Sequence, residues 1–365
     1  MGDGVGADPV ASEHEVVRLR ARRALGATRG QLQKSGLKLV GNVVVAYLVL
    51  KVIPVLRQAL HNLEHINWHW VLGALALETL SETGFVVSWR VIVDPENLLS
   101  RGGGGRRMDM RAAWAQLGGG TLVPAGSLGS VGVGAWILHR FGMPTKLIAE
   151  RQFNLSFLNT AVDAFALIIF GIGMATGIIA REHNLKLTLL PAALAAIGIL
   201  AALLIARRAS TLAERLQPVH PKIGASIATL ASAVEDTQRL LFHRGRFKSV
   251  LGAQAYLWFD VLVLWTAFLA IHAHPVPSFA VVVMAYIIGA LGGSLPLPAG
   301  IGTIGGMVAM FIVFGVGHDA AVAAVLFYQG IGLLVPLAGG AVAYGLLRRR
   351  LGPLRKLAPA DPGGQ

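Results

Sequence analysis

The stretch from Phe279 to Val316 reads FAVVVMAYIIGALGGSLPLPAGIGTIGGMVAMFIVFGV, an apolar run whose centre is filled with Gly and Pro. A second run of this kind covers Ala112–Leu138 and is interrupted by GGGTLVPAGSLGS. Gly and Pro at that density end or unwind a helix. Each run therefore predicts two helical halves joined by a non-helical break near the middle of an apolar segment.

The rest of the chain has the composition of a membrane protein. Of its 365 residues, 54% are hydrophobic and only 14% are charged, and the mean hydropathy is +0.62. Soluble domains carry about 25% charged residues, so this chain lacks the polar surface of a soluble globule. Further apolar runs approach the roughly 20 residues that a helix needs to cross a bilayer. These runs are Leu39–Leu56, Trp70–Ser88, Asn154–Ala180, Leu187–Ala206, Leu251–Ile271 and Ala320–Leu347.

The sequence thus predicts an all-α polytopic membrane protein with about six full spans and two broken segments. Its net charge of +13 does not point to nucleic acid, because the basic residues lie in the loops between apolar runs. Five groups hold most of them: the segment before the first span, Arg90–Arg111, Arg140–Arg151, Arg207–Lys248 and the segment after Leu347. Basic loops mark the cytoplasmic side. We therefore expect an inner-membrane (plasma-membrane) protein with both termini in the cytoplasm.

This topology requires each broken segment to return to the side on which it starts. The halves of Ala112–Leu138 have about 13 residues and rise only about 20 Å, too little to cross a bilayer. We therefore interpret this segment as a re-entrant hairpin. The halves of Phe279–Val316 are longer, with about 18 residues each, and form either a second re-entrant hairpin or two tight spans.

The sequence predicts a single membrane domain over residues 37–347. A basic cytoplasmic tail, residues 1–36, precedes it, and a second basic tail, residues 348–365, follows it. Residues 207–248 form a cytoplasmic connection with apolar residues near helical spacing, which predicts an amphipathic helix. That helix lies either on the inner leaflet or against the end of the bundle. Cys is absent, and the spans contain no nucleophile–base pair, so we expect no enzymatic activity and no cofactor.

Acidic residues inside predicted spans are candidates for a site, since a charge at the bilayer centre costs about 2.5–3.5 kcal/mol on insertion scales. Glu78 and Glu82 lie one turn apart on one helical face and would tend to share a proton. They either relay protons or bind a cationic headgroup, or else one is neutral and hydrogen-bonded while the other reaches the interface. Asp163 and Asp260 are single acids, either parts of a site or partners in helix packing.

The two breaks are the second group of candidates. Two Gly/Pro-interrupted segments in the two halves of a membrane protein point to a transport site, although glycines also permit close helix packing. Gln329, beside Tyr328, follows the second break and is a further candidate. The substrate-contacting residues predicted in the breaks are Pro124, Gly126, Gly129, Pro296, Pro298, Gly300 and Gly302.

Basic and imidazole side chains provide weaker candidates. Arg140 and Arg151 are interpreted mainly as topology determinants, and binding of a headgroup phosphate is the alternative. His61, His65 and His69 are spaced by four residues, but no Cys or fourth ligand accompanies them. The sequence therefore predicts no metal site.

Two motifs resemble the lysylphosphatidylglycerol synthase transmembrane (flippase-like) integral membrane protein family. The stronger motif is SLPLPAGIGTIGG followed by FGVGHDAAVAAVLFYQGIGLLVPLAGG, and the weaker one is TLVPAGSLGSVGVGAWILHRFGMP. The resemblance covers most of Leu39–Leu347. Three residues depart from the family pattern: Ala299 replaces a Gly, Gly305 replaces an acidic residue, and Gln329 replaces an Arg.

The resemblance implies a protein that handles phospholipids or lipid-linked substrates, as a lipid transporter or flippase. The aminoacyl-transfer domain of the lipid-modifying members has no counterpart in this sequence, so synthase activity is not expected. The departures at Gly305 and Gln329 favour an alternative, a non-transporting partner of a cell-envelope lipid-modifying enzyme or glycosyltransferase. Membrane lipids are the expected partners in the first case and an envelope enzyme in the second.

Overall fold

The computed structural model describes residues 67–100, 107–122, 127–179, 185–208, 247–291 and 301–351, all within one compact unit. These residues form nine helices of 12 or more residues, and no strand occurs among them. The helices are α1 (Trp68–Val93), α2 (Met108–Leu122), α3 (Ser127–Arg140), α4 (Thr145–Ala175), α5 (Leu185–Arg207), α6 (Phe247–Ala270), α7 (Phe279–Ala290), α8 (Ile301–Val313) and α9 (His318–Leu351).

Five of these helices, α1, α4, α5, α6 and α9, are long and apolar enough to cross a membrane. They correspond to five of the six predicted full spans and confirm the polytopic all-α fold. The sixth, Leu39–Leu56, lies outside the described residues, as do the N-terminal tail and residues 209–246 of the predicted amphipathic connection. α9 continues to Leu351, four residues into the predicted C-terminal tail, and the rest of that tail is outside the described residues. α4 begins nine residues before the predicted Asn154, because its polar first turns pack against the bundle through buried Ile148 and Gln152.

The central pair of the bundle is α1 and α6, which pack antiparallel along their whole length. Gly84 and Gly252 meet backbone to backbone, since a Cβ added to Gly84 would lie 2.6 Å from the Gly252 carbonyl oxygen. On either side of this contact, Ser81 and Ser88 donate hydrogen bonds to α6 carbonyl oxygens, both at 2.8 Å. Small residues that allow backbones to approach are typical of helix contacts in membranes.

Both interrupted runs form two short helices, as predicted. α2 and α3 are antiparallel neighbours: a Cβ on Gly120 would meet Ser130, and one on Gly119 would meet Val133. Each rises only about 22 Å, less than the thickness of a bilayer core. α7 and α8 also pack together, with Gly289 against Met307. Residues 123–126 and 292–300, which join these pairs, lie outside the described residues.

α9 connects the interior of the bundle to the α2–α3 pair. Tyr328, Gly332, Pro336 and Gly340 recur every four residues and so share one face of α9. Gly340 contacts the backbone of Gly118 in α2, where an added Cβ would lie only 2.5 Å from its Cα. The same face therefore contacts the first broken segment at one end and the centre of the bundle at the other.

The outside of the bundle suits contact with lipid. α5, which packs mainly against α4, exposes Leu190, Leu194, Ile197 and Leu200. Thr83, on the exposed side of α1, donates its hydroxyl proton to the Thr79 carbonyl one turn earlier, at 2.7 Å. Polar side chains on the apolar surface are thus satisfied by their own helix.

Candidate functional site

Four carboxyl groups from three helices lie together inside the bundle, and we call them the acidic cluster. Glu78 and Glu82 come from α1, Asp163 from α4 and Asp260 from α6. Asp260 is the centre of the group, since it interacts electrostatically with each of the other three. Glu78 and Glu82 are each only 4% exposed and Asp260 only 7% exposed. The structure therefore brings together all four acidic residues that the sequence singled out.

The acidic cluster lies at one depth within the spans. Glu78 is about ten residues from the start of α1, and Asp260 is about ten residues from the end of α6. Since α1 and α6 are antiparallel, these positions are at the same level, about 15 Å from the shared end of the pair. Asp163 lies about 18 Å from the end of α4 by the same measure. This is close to the middle of a hydrocarbon core about 30 Å thick.

Tyrosine hydroxyl groups surround Asp260. Tyr286 of α7 donates a hydrogen bond of 2.5 Å to Asp260 Oδ2, and Tyr328 of α9 donates one of 3.0 Å to the same oxygen. Tyr256, one turn before Asp260, interacts electrostatically with all four carboxyl groups. Asp260 thus links three helices: its own α6, α7, which ends just before the second break, and α9, which follows α8.

Glu78 and Glu82 have a different environment. The Oε2 atom of each is buried without a hydrogen-bond partner. Glu78 faces α9 at Gly332, where an added Cβ would lie 3.7 Å from its Oε1 atom. None of the ion pairs formed among the described residues involves the acidic cluster. A buried ionised carboxylate without a partner is strongly disfavoured, so these oxygens require a proton or a cation.

A second polar group in the interior, which we call the amide network, is fully paired. The side-chain amides of Gln116 in α2 and Gln152 in α4 exchange hydrogen bonds of 3.1 and 2.9 Å. The Trp89 indole N–H of α1 donates to Gln116 Oε1 at 2.8 Å. A Cβ on Gly134 of α3 would lie 1.9 Å from that oxygen, so α3 packs directly against the network. The amide network thus fixes the α2–α3 pair to two spanning helices.

The residues predicted in the breaks are only partly described. Gly129 is buried in the first turn of α3, and Gly302 is half-buried in the first turn of α8. Gln329 is also half-buried, and it lies about 100° around α9 from Tyr328. The other five, Pro124, Gly126, Pro296, Pro298 and Gly300, lie outside the described residues.

The two predicted phosphate-binding arginines contact the protein itself. The Arg140 guanidinium lies 5.7 Å from the centre of the Trp136 ring. Arg151 donates to the Val93 carbonyl at 2.8 Å and forms an ion pair of 2.8 Å with Glu96. The Arg151 contacts hold α4 against the end of α1, while the Arg140 contact lies within α3. Phosphate binding at either residue stays a prediction.

The end of α1 carries a second set of paired charges. Arg90 forms an ion pair with Asp109 of α2. Asp94 follows α1 and accepts hydrogen bonds from the Leu98 and Leu99 amides at 2.7 and 3.2 Å. Burial raises the pKa of Asp94, and these two amide donors counteract the rise. Unlike Glu78 and Glu82, the acids at this end have partners that stabilise their charge.

Two tyrosines of this site, Tyr256 and Tyr286, are not among the residues predicted from the sequence. Tyr256 precedes Asp260 by one helical turn, and that spacing could have identified it. Tyr286 lies within the apolar Phe279–Val316 run, and no local signal distinguishes it from a packing residue. Among the three spaced histidines only His69 is described, and its ring contacts Asn67 at 3.2 Å.

The comparison with protein families agrees with this architecture. Residues 39–340 match the family described as the lysylphosphatidylglycerol synthase TM region. No curated protein and no solved structure matches the chain. The family match covers most of the chain, including the acidic cluster, the amide network and both broken segments. The protein therefore belongs to the family of the lysylphosphatidylglycerol synthase transmembrane region.

Proposed function

We propose that this membrane protein moves a lipid or lipid-linked substrate between the leaflets of the cell membrane, without converting it chemically. The single observation that carries the proposal is the acidic cluster. Carboxyl groups without partners at the middle of spans are costly, and such residues mark substrate or ion pathways. Family membership adds support, because it associates the chain with membrane regions of lipid-modifying proteins.

The geometry favours a headgroup that carries an amine. Glu78 and Glu82 each present a buried, unpartnered carboxyl oxygen, which a primary ammonium group would satisfy by a charge-assisted hydrogen bond. The substrate phosphate would contact the breaks, because α3 and α8 begin there and helix N-termini favour anions. The acyl chains would stay in the surrounding lipid. This proposal includes a re-entrant arrangement of the first broken segment, either a re-entrant or a two-span arrangement of the second, and cytoplasmic termini.

Passage through this region requires helices to separate. Asp260 holds α7 and α9 to α6 through Tyr286 and Tyr328, so a path along the acidic cluster opens only when these hydrogen bonds break. We place the moving elements at α7 and α9, since these are the two helices that Asp260 joins to α6. The α2–α3 pair, held by the amide network, would remain in place.

The test is leaflet exchange in reconstituted vesicles. The purified protein is incorporated with fluorescent phosphatidylethanolamine, phosphatidylglycerol or phosphatidylcholine, and the accessible fraction of each probe is followed by dithionite quenching. We expect faster exchange than in empty vesicles, and the largest acceleration for the primary amine of phosphatidylethanolamine. Equal rates in empty and protein-containing vesicles for all three probes would contradict the proposal.

A second candidate is a non-transporting partner of an envelope enzyme. Two positions support it: Gly305 and Gln329 stand where the resemblance leads us to expect an acidic residue and an Arg. Gly305 is exposed, with open space around its Cα, so the structure offers no substitute side chain at that position. Co-purification with an enzyme whose activity depends on this protein, without lipid exchange by the protein alone, would favour this candidate.

A further inference from the structure

We propose that the acidic cluster binds exchangeable protons, and that protonation is coupled to the movement of α7 and α9 away from α6. This inference rests on the proposed function, because it supplies the energy source for moving the substrate. It concerns Glu78, Glu82, Asp163 and Asp260. The protein would then use a proton gradient across the membrane.

The acidic cluster has an excess of negative charge. Three other carboxyl groups lie within electrostatic range of Asp260, and none of the four is ion-paired with a described basic residue. Like charges at short distance in a low-dielectric interior cannot all be ionised. The cluster therefore holds protons in its resting state unless another cation replaces them.

Missing hydrogen-bond partners indicate a ligand independently of the number of charges. Glu78 and Glu82 are more than nine-tenths buried, and each leaves one oxygen without a partner. Nearly all buried polar atoms in proteins have a hydrogen-bond partner, so an unpartnered pair indicates a ligand. Ca²⁺ and Mg²⁺ take six or more oxygen ligands, whereas a proton needs only one carboxyl oxygen. Glycine at position 332, next to Glu78, supplies no further ligand.

Asp260 connects the acidic cluster to the helices that move. The ionisable groups that face it are Glu78 and Glu82 from α1, Asp163 from α4, Tyr256 from its own helix, Tyr286 from α7 and Tyr328 from α9. Hydrogen bonds from two hydroxyl groups stabilise negative charge on Asp260. A proton transferred to Asp260 weakens both bonds and releases α7 and α9. A proton that leaves restores them.

The proton balance of this cycle is simple. A water molecule at one membrane face gives a proton to a cluster carboxylate, forming an O–H bond. After the conformational change, the same O–H bond breaks and water at the opposite face accepts the proton. No other bond is formed or broken, and each cycle carries one positive charge across the membrane.

Infrared difference spectroscopy tests the proton site without any transport assay. The full-length protein in lipid nanodiscs is stepped between acidic and alkaline buffer, and the signal of protonated carboxyl groups is recorded. We expect part of this signal to titrate in the wild type and to be lost in the E78Q/E82Q variant. D319N is the control, because the Asp319 side chain is 97% exposed at the start of α9. Identical titrating signals in the wild type and E78Q/E82Q would overturn the inference.

Vesicle exchange of phosphatidylethanolamine, with and without an imposed pH gradient, tests the coupling. We expect the gradient to accelerate exchange by the wild type and by D319N, and this acceleration to be lost in E78Q/E82Q and in D260N. An exchange rate that does not change with the pH gradient, or that responds to a Na⁺ gradient instead, overturns the inference and leaves the proposed function intact. Carboxyl titration without exchange of any lipid supports the proton site and overturns the proposed function.

Discussion

The amide network and the acidic cluster are both polar groups in the interior of one membrane protein, and they differ in hydrogen-bond satisfaction. In the amide network, Gln116 and Gln152 exchange hydrogen bonds, and the Trp89 indole completes the set. In the acidic cluster, Glu78 and Glu82 each leave a buried oxygen without a partner. The first arrangement stabilises the fold, whereas the second leaves two buried carboxyl oxygens that need a proton or a ligand.

Hydrogen-bond satisfaction separates the polar residues that stabilise the fold from those that belong to a functional site. A satisfied network rigidifies the helices that it joins, and here it joins α2 to α1 and α4. An unsatisfied cluster lowers stability unless something binds, which is a common property of functional sites. Substitutions in the two groups should therefore have opposite effects on stability and on lipid exchange. The free energy of unfolding of each variant is measured in mixed micelles by titration with sodium dodecyl sulfate.

The largest loss of stability is expected from Gly134→Leu. A Cβ at this position would lie 1.9 Å from Gln116 Oε1, so a leucine must push α3 away and break the amide network. Overpacking of this kind costs about 3 kcal/mol or more. Gly132→Leu is the matched control, because Gly132 lies on the same helix with nothing within 4 Å of its added Cβ. Equal unfolding free energies for the two variants would contradict the described packing of α3.

A smaller loss is expected from Gln116→Leu. Leucine has a similar volume, but it leaves the Trp89 N–H and the Gln152 amide without their partner, which costs about 2 kcal/mol. The double variant with Gln152→Leu removes one of the two orphaned groups. We therefore expect it to be less destabilised than the sum of the two single variants. Strict additivity would show that the two amides do not interact.

Removal of one tyrosine hydroxyl from Asp260 should cost less again. Tyr286→Phe and Tyr328→Phe each delete one hydrogen bond to Asp260 Oδ2, worth about 1 kcal/mol. Because these bonds hold α7 and α9 to α6, we also expect faster lipid exchange in both variants. Tyr344→Phe, a partly buried tyrosine further along α9, serves as the control. Slower lipid exchange in both variants would indicate that the two hydroxyl groups contact the passing substrate and do not hold the path closed.

Much of the fold was predictable because hydropathy and helix breakers act locally. The Gly/Pro stretches indicated where α2 gives way to α3 and α7 to α8, and the apolar runs indicated the five long helices. The start of α4 at Thr145 was not predictable, because its first turns are polar and are buried only by tertiary contacts. The amide network was not predicted for a similar reason, since the sequence around an isolated Gln does not indicate which distant residue it will bond.

The acidic residues of the site were predictable for an energetic reason. A carboxyl group inside an apolar span is costly enough that Glu78, Glu82, Asp163 and Asp260 could be selected from the sequence alone. That they meet at one depth follows from the antiparallel pairing of α1 and α6, which needs the structure. Tyr286 could not be predicted, because tyrosine is common in membrane helices and only the fold brings its hydroxyl to Asp260.

The smallest change in stability, and the sharpest contrast with the amide network, is expected from Glu78→Gln combined with Glu82→Gln. Glutamine keeps the shape of each side chain and removes the need to bury a titrating group. The free energy of unfolding should therefore change by less than about 1 kcal/mol or increase. Lipid exchange should nevertheless be lost, because neither a proton nor an ammonium group can be held. Thr83→Val, on the lipid-facing side of the same helix, should leave both quantities unchanged. A loss of stability comparable to that of Gln116→Leu would assign the two glutamates to the scaffold instead.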